Sequence, residues 1–255
     1  MNNSKVAIIT GSATGVGAAT AILLARRGWN VVINYSRSKT EAEDTAKLCK
    51  SNGADFLIIE ADVSSDEQSA NMVSQTIKRW GRLDALVNNA GTTRFCDYGN
   101  LEGLSKKDFL DLYEVNVVGA YQMSKYAAPY LKSVKGCIVN TSSISAISGV
   151  GSSIAYAASK GALSTMTLSL AHALAPEVRV NAVCPGFIQG RWTKGFLGDR
   201  YETVKKSIEK QTIIGRTSLP EDIAKSIVYL IEDAPTTTGQ FLVVDGGQLV
   251  NQSKL

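Results

Sequence analysis

One histidine and four cysteines are all that the 255-residue chain offers to a soft metal or a disulfide. Cys49, Cys96, Cys137 and Cys184 stand far apart, with no C-x-x-C and no histidine cluster near them. That spacing argues against a zinc site or a disulfide frame and predicts reduced thiols in a cytoplasmic protein with no metal. Like charges never run five in a row, and charged residues make up only 20% of the chain at a net charge of +4. The scattered Lys and Arg read as ordinary surface, so no nucleic-acid partner is expected. No stretch approaches the roughly 18–20 apolar residues of a membrane span. The start, "MNNSK", runs into an apolar segment from Val6 to Thr10 that is too short for the core of a signal peptide. Internal repeats, low-complexity tracts and linkers are missing too, which predicts a single domain over 1–255.

What is present is 44% hydrophobic residues, enough to bury a full core. They fall in short β-branched runs at 5–10, 30–35, 55–63, 83–89, 136–142, 178–185 and 240–245, separated by longer helical stretches. Near-continuous apolar strands alternating with helices predict an α/β fold: a doubly wound, Rossmann-like parallel sheet of seven strands covered on both faces. Ser65 and Gln68 have the spacing of a capping box, and Gly28, Gly53 and Gly81 mark helix ends.

Between the first strand and the first helix stands "TGSATGVG", Thr10 to Gly17. Its Gly11-x-x-x-Gly15-x-Gly17 spacing is neither G-x-G-x-x-G nor a Walker A loop. Its position nevertheless suits a pyrophosphate, because the first βα turn of such a sheet presents free N–H groups at a helix N-terminus. The second strand ends "INYSRS", with no acid before Glu41 to take a ribose 2′-hydroxyl. Tyr35 stands where that acid would be, and Ser36, Arg37 and Ser38 suit a 2′-phosphate. NADP(H) is therefore expected over NAD(H), which stays as the alternative.

In "SSIAYAASKGAL", Tyr156 precedes Lys160 by four residues, so a helix puts phenol and ammonium on one face. The pair is either a lysine stem covering an aromatic ring or a tyrosine acid/base tuned by a cation. Taken with "TGSATGVG", "NNAG" (88–91), "ADV" (61–63), "EVNVVGAY", "IVNTSS" (138–143), "CPGFI" (184–188) and "VDGG" (244–247), the chain resembles the short-chain dehydrogenase/reductase family from Lys5 to about Gly247.

The resemblance implies a catalytic set of Asn116, Ser143, Tyr156 and Lys160, with Ser142 exchanging places with Ser143 if the alignment slips by one. It also implies cofactor contacts from Gly11, Ser12, Thr14, Gly15, Val16 and Gly17, from Asp62 and Val63 at the adenine, and from Asn89, Ala90 and Gly91 beside the ribose. Pro185, Gly186 and Ile188 would face the nicotinamide, and Tyr156 and Lys160 would touch the cofactor as well. In that scheme Lys160 lowers the tyrosine pKa and holds the ribose, Ser143 binds the reacting oxygen, and Asn116 supports a proton relay. A homotetramer with a substrate lid around 188–215 is expected.

The chain departs from the family at "PGFIQGRWT", where Gly190 replaces the usual threonine of Pro-Gly-x-x-x-Thr and Thr193 follows three residues later. Trp192 and Phe196 either contact substrate or pack the lid onto the body. The look is closest to 3-oxoacyl-acyl-carrier-protein reductases, yet His172 and Glu177 stand where relatives often carry Arg. Carrier protein is thus left open as a partner beside small carbonyl or alcohol substrates. Sugar and secondary-alcohol dehydrogenases remain alternatives, as does a non-catalytic dinucleotide sensor. The intact catalytic set argues against the sensor, and His172 is given no chemical role.

Overall fold

The computed structural model describes residues 4–251. Strands β1 (Val6–Ile9), β2 (Asn30–Tyr35), β3 (Phe56–Glu60), β4 (Ala85–Asn88), β5 (Cys137–Thr141), β6 (Arg179–Pro185) and β7 (Phe241–Val244) form one sheet in the order β3-β2-β1-β4-β5-β6-β7. Every pairing is parallel, with Ile8 of β1 beside Val32 on one side and Leu86 on the other. The helices are α1 (Gly15–Arg26), α2 (Lys39–Ser51), α3 (Asp66–Trp80), α4 (Lys106–Tyr113), α5 (Ala120–Val134), α6 (Ser145–Ser148), α7 (Ile154–Leu174), α8 (Arg191–Leu197), α9 (Tyr201–Gln211) and α10 (Pro220–Glu232). A π-helical turn, Glu114–Gly119, joins α4 to α5. No helix among the described residues is long and apolar enough to cross a membrane.

Successive strand residues point to opposite faces, and the apolar runs feed two cores accordingly. Ala7, Ile9, Val31, Ile33 and Val87 pack with Ala21 and Leu24 of α1 and Ile223 and Ile227 of α10. Val6, Ile8, Val32 and Leu86 pack on the other face with Met72 of α3, Met123 and Leu131 of α5 and Ala171 of α7. The strands read as unbroken apolar runs because both faces are covered. Ser65 caps α3 by accepting from the Gln68 N–H at 3.3 Å, but the reciprocal half of the expected capping box is missing. The side-chain Oε1 of Gln68 instead accepts from the backbone N–H of Asp62 at 2.8 Å.

The chain winds outward from β1 to β3, then returns to place β4 on the other side of β1. The loops after β1 and β4 diverge there and open a crevice at the carboxyl ends of the strands. Buried side chains hold its rim. Asn34 accepts from the Gly11 N–H at 2.9 Å and donates to the Ala61 carbonyl at 3.0 Å. Thr10 accepts from the N–H groups of Asn89 and Ala90, both at 3.0 Å.

Asn34 is 2% exposed, so truncation strands polar groups that water cannot reach. Asn34→Ala is expected to cost about 3 kcal/mol, the sum of two or more buried unpaired groups. A fall in the urea midpoint at unchanged slope measures it; a loss below about 1 kcal/mol would show that the loop does not depend on this amide.

Candidate active site

A cleft of about 750 Å³ occupies the crevice. Gly11, Thr14, Gly15 and Val16 line its floor. Ser12 and Gly17, also expected at the cofactor, lie beneath that floor. The Ser12 hydroxyl donates to the Ile9 carbonyl at 2.6 Å and accepts from the Asn34 N–H at 2.9 Å. A Cβ on Gly17 would come within 2.5 Å of the Gly11 carbonyl oxygen and 2.7 Å of Asn89 Nδ2, so only glycine lets the loop close on the helix. Helix α1 begins with no side-chain cap from Thr14 and no acid in its first turn. Its N–H groups and positive dipole end are left for an anion, which fits a dinucleotide pyrophosphate.

Tyr35, Ser36, Arg37 and Ser38 line the end of the cleft above β2. The Tyr35 hydroxyl donates to Glu60 at 3.0 Å, whereas Arg37 is exposed and has no ion-pair partner among the described residues. Asp62 and Val63, expected at the adenine, do not line the cleft. The chain turns away towards α3 after β3, and Asp62 accepts from the N–H and hydroxyl of Ser64 at 3.0 and 2.7 Å. Val63 is buried where a Cβ on Gly119 would meet it, under the π-helical turn. Asn89, Ala90 and Gly91 form the wall beside the floor. Asn89 is tied down by donation to the Thr10 and Gly11 carbonyls at 3.0 and 3.1 Å.

The opposite wall is built by β5 and α7. Ser153 caps α7 by accepting from the Tyr156 N–H at 3.1 Å, which starts the helix where Tyr156 faces the cleft. One turn later, Lys160 places its Nζ 5.8 Å from the tyrosine ring centre. It donates to the Thr141 carbonyl at 2.8 Å. Geometry separates the two serines after β5. The Ser142 hydroxyl is engaged by the Lys160 carbonyl at 3.2 Å and Ser164 at 2.8 Å, whereas the Ser143 hydroxyl lines the cleft, bonded to the Ser145 hydroxyl and N–H, both at 3.1 Å, and stands close enough to favour the ionised form of Tyr156.

Asn116 lies on the π-helical turn, behind the wall rather than on it. Its amide accepts from the Thr92 N–H at 2.8 Å and donates to the Thr92 carbonyl and Ser159 hydroxyl, both at 3.0 Å. The side chain therefore fixes the loop after β4 against α7. A π turn at such a point is a common feature of functional sites.

Electrostatics differ from the expected tuning. Burial pushes the Tyr156 phenol up to about 12, opposed by the Ser143 hydroxyl. Burial also pushes Lys160 down to about 8, opposed by the nearby Cys184 thiolate form. Desolvation outweighs the attraction between neighbours because both groups sit in the protein wall. The resting pair is a firmly protonated phenol beside an ammonium that gives up its proton easily.

Ile188 bridges Ser218 at the base of the lid, and α8 and α9 follow. Trp192 lies 6.4 Å from Tyr156 and 4.7 Å from Phe196, centre to centre. Both stay partly open, at 48% and 37% exposure, while lining the cleft. Gly190 has φ +153°, a conformation that side-chain-bearing residues rarely adopt, which explains why threonine does not stand there. Thr193 spends its hydroxyl proton on the lid backbone, at 2.9 Å from the Ile188 carbonyl and 3.0 Å from that of Gly190. Sequence reading missed Phe95, Val150, Val204 and Ile208, which also line the cleft. The i, i+4 apolar pair Val204 and Ile208 in an otherwise polar helix was the available signal.

With the geometry in hand, similarity to known proteins gives it a lineage. A family model described as enoyl-(acyl carrier protein) reductase matches residues 11–248. Granaticin polyketide synthase ketoacyl reductase 2 of Streptomyces violaceoruber is 39% identical over 245 residues, covering 96% of each chain. A 3-oxoacyl-[acyl-carrier-protein] reductase of Staphylococcus aureus is 34% identical, over 97% of this chain and 99% of that protein. The crystal structure of a short-chain dehydrogenase/reductase from Burkholderia xenovorans superposes with a TM-score of 0.91 at 38% identity, covering 98% of this chain and all of that one.

Lys160 carries a pH signature that needs no substrate. The folded chain holds it at about 8 against its ordinary 10.5, so between those values the unfolded state binds more protons and stability rises with pH. Relative to Lys160→Met, the native protein is expected to gain about 2 kcal/mol between pH 8 and about pH 9.5. Urea denaturation of both at the two pH values checks this; parallel behaviour would mean that Lys160 is not desolvated.

Proposed function

The chain is a member of the short-chain dehydrogenase/reductase family, an oxidoreductase using a nicotinamide cofactor, and from that premise we propose that it is an NADP(H)-preferring ketone reductase. The observation that carries this reading is the meeting of Ser143, Tyr156 and Lys160 on one wall of a cleft whose floor is the glycine loop. Hydride is what a bound nicotinamide supplies; the protein must manage the substrate oxygen and its proton. Tyr156, held protonated by burial, is the general acid that delivers a proton to the developing alkoxide. Ser143 donates a hydrogen bond to the same oxygen. Lys160, readily deprotonated, restores the proton to Tyr156 and binds the cofactor ribose. Asn116 keeps the loop after β4 seated against α7, which supports the relay.

The preference for NADP(H) rests on charge. No acid lines the cleft among the described residues, and Arg37 stands unpaired between Ser36 and Ser38. The substrate end is apolar: Phe95, Val150, Trp192, Phe196, Val204 and Ile208 surround the space next to Tyr156. A ketone flanked by hydrophobic groups, such as a 3-oxoacyl thioester, suits those walls better than a sugar with many hydroxyls to satisfy. The polyketide synthase ketoacyl reductase and the 3-oxoacyl-[acyl-carrier-protein] reductase among the relatives support the same class. Exposed Phe109, Leu110, Tyr113 and Tyr121 along α4 and α5 support a homo-oligomer.

Turnover of an acetoacetyl thioester with NADPH and with NADH tests the reading. Tyr156→Phe is expected to lower kcat about 10³-fold, and Ser143→Ala about 10²-fold, with NADPH affinity kept in both. Full activity of Tyr156→Phe would remove the tyrosine from the proton path, and equal efficiency with NADH would remove the role of Arg37.

A further inference from the structure

Arg191 opens α8 on the lid, yet its guanidinium reaches across the mouth of the cleft to the first turn of α2. It pairs there with Glu41 and donates to the Ser38 hydroxyl at 3.2 Å, partners 150 and 153 residues away in the chain. Ser38 is the N-cap residue of α2, and its side chain makes no capping bond to the helix. Ser38, Arg37 and Arg191 all line the same end of the cleft.

We propose that Arg191 is a second cationic determinant of cofactor choice, delivered by the lid to the ribose 2′-phosphate site formed by Ser36, Arg37 and Ser38. The proposal rests on the NADP(H) reading and extends it from the β2 loop to the lid. Glu41 is the one acid in the first turn of α2. Unmasked, its carboxylate would repel a phosphate dianion held by its neighbours; Arg191 cancels that charge while presenting further N–H donors to the same space. The Arg191 and Glu41 side chains are 64% and 37% exposed, so their mutual attraction in water is weak and easily exchanged. A phosphate, with more charge and three acceptor oxygens, is the stronger partner for a guanidinium. Glu41 thus keeps Arg191 poised at the site, and the phosphate takes it over. Because α8 also carries Trp192 beside Tyr156, this contact would couple cofactor identity to lid position over the substrate.

Calorimetric binding of 2′,5′-ADP and 5′-AMP isolates the adenosine end without any turnover. For Arg191→Ala, affinity for 2′,5′-ADP is expected to fall about tenfold, the scale of one charge-assisted pair, with 5′-AMP changed less than twofold. Glu41→Gln is expected to tighten 2′,5′-ADP about threefold by removing the competing carboxylate. Arg37→Ala serves as the control. If it loses 2′,5′-ADP while Arg191→Ala loses neither ligand or both equally, the lid proposal is overturned and the NADP(H) reading stands. If the native protein binds both ligands alike, the NADP(H) reading falls and takes the lid proposal with it.

Discussion

At the carboxyl edge of a parallel sheet each strand hands its last N–H and C=O groups to a loop that is still inside the protein. Those groups need partners, because a buried unpaired amide costs about as much as a hydrogen bond is worth several times over. Here Thr10, Asn34 and Asn89 supply them by tying loop to loop across β1, β2 and β4. A second chain runs from Asn88 to Asn140 at 2.9 Å and from Asn140 to Thr167 of α7 at 2.9 Å. The same bonds that satisfy the sheet edge therefore fix the glycine loop on one side and the helix of Tyr156 and Lys160 on the other. Site geometry follows from backbone accounting more than from any contact within the site itself.

That rigidity carries an electrostatic consequence. The wall that holds this pair buries Lys160 and half-buries Tyr156, and desolvation moves a phenol up and an ammonium down. The two shifts point in the same chemical direction. They favour the neutral forms of both groups, so once Tyr156 has given up its proton, transfer of a proton from the Lys160 ammonium to the phenolate runs downhill. Reduction, in which the phenol must begin protonated, gains from this. Oxidation would need the phenolate, which burial opposes and only Ser143 among the protein groups is seen to favour.

Much of this was legible in the chain because it rests on local spacing. Seven apolar runs with helices between them dictate a doubly wound sheet, and the i, i+4 interval of Tyr156 and Lys160 puts them on one helix face whatever lies beyond. The glycine loop was legible for the same reason, although Gly17 serves the loop's own packing and not the ligand surface. What could not be read depended on the path of the chain in three dimensions. Asp62 and Val63 lie in the turn between β3 and α3 and are not among the residues that line the cleft, which residue type alone does not show. The pKa directions depend on how deeply the wall buries each group, which no spacing encodes. The capping box at Ser65 was half read, since Gln68 found a nearer donor in Asp62.

The segment that departs from the family pattern shows how one backbone choice redirects several side chains. With φ at +153°, Gly190 turns the chain in a way that a threonine there would resist. Thr193, three residues on, is then free to cap the turn through the carbonyls of Ile188 and Gly190. Helix α8 starts at once, so Arg191 projects towards α2 while Trp192 projects towards Tyr156. The lid that follows Gly190 thereby sends two adjacent residues to different parts of the cleft, Arg191 to Ser38 and Trp192 to Tyr156. A ligand group that shifts the backbone at Arg191 also bears on Trp192, the next residue, whose indole lies 6.4 Å from the Tyr156 ring.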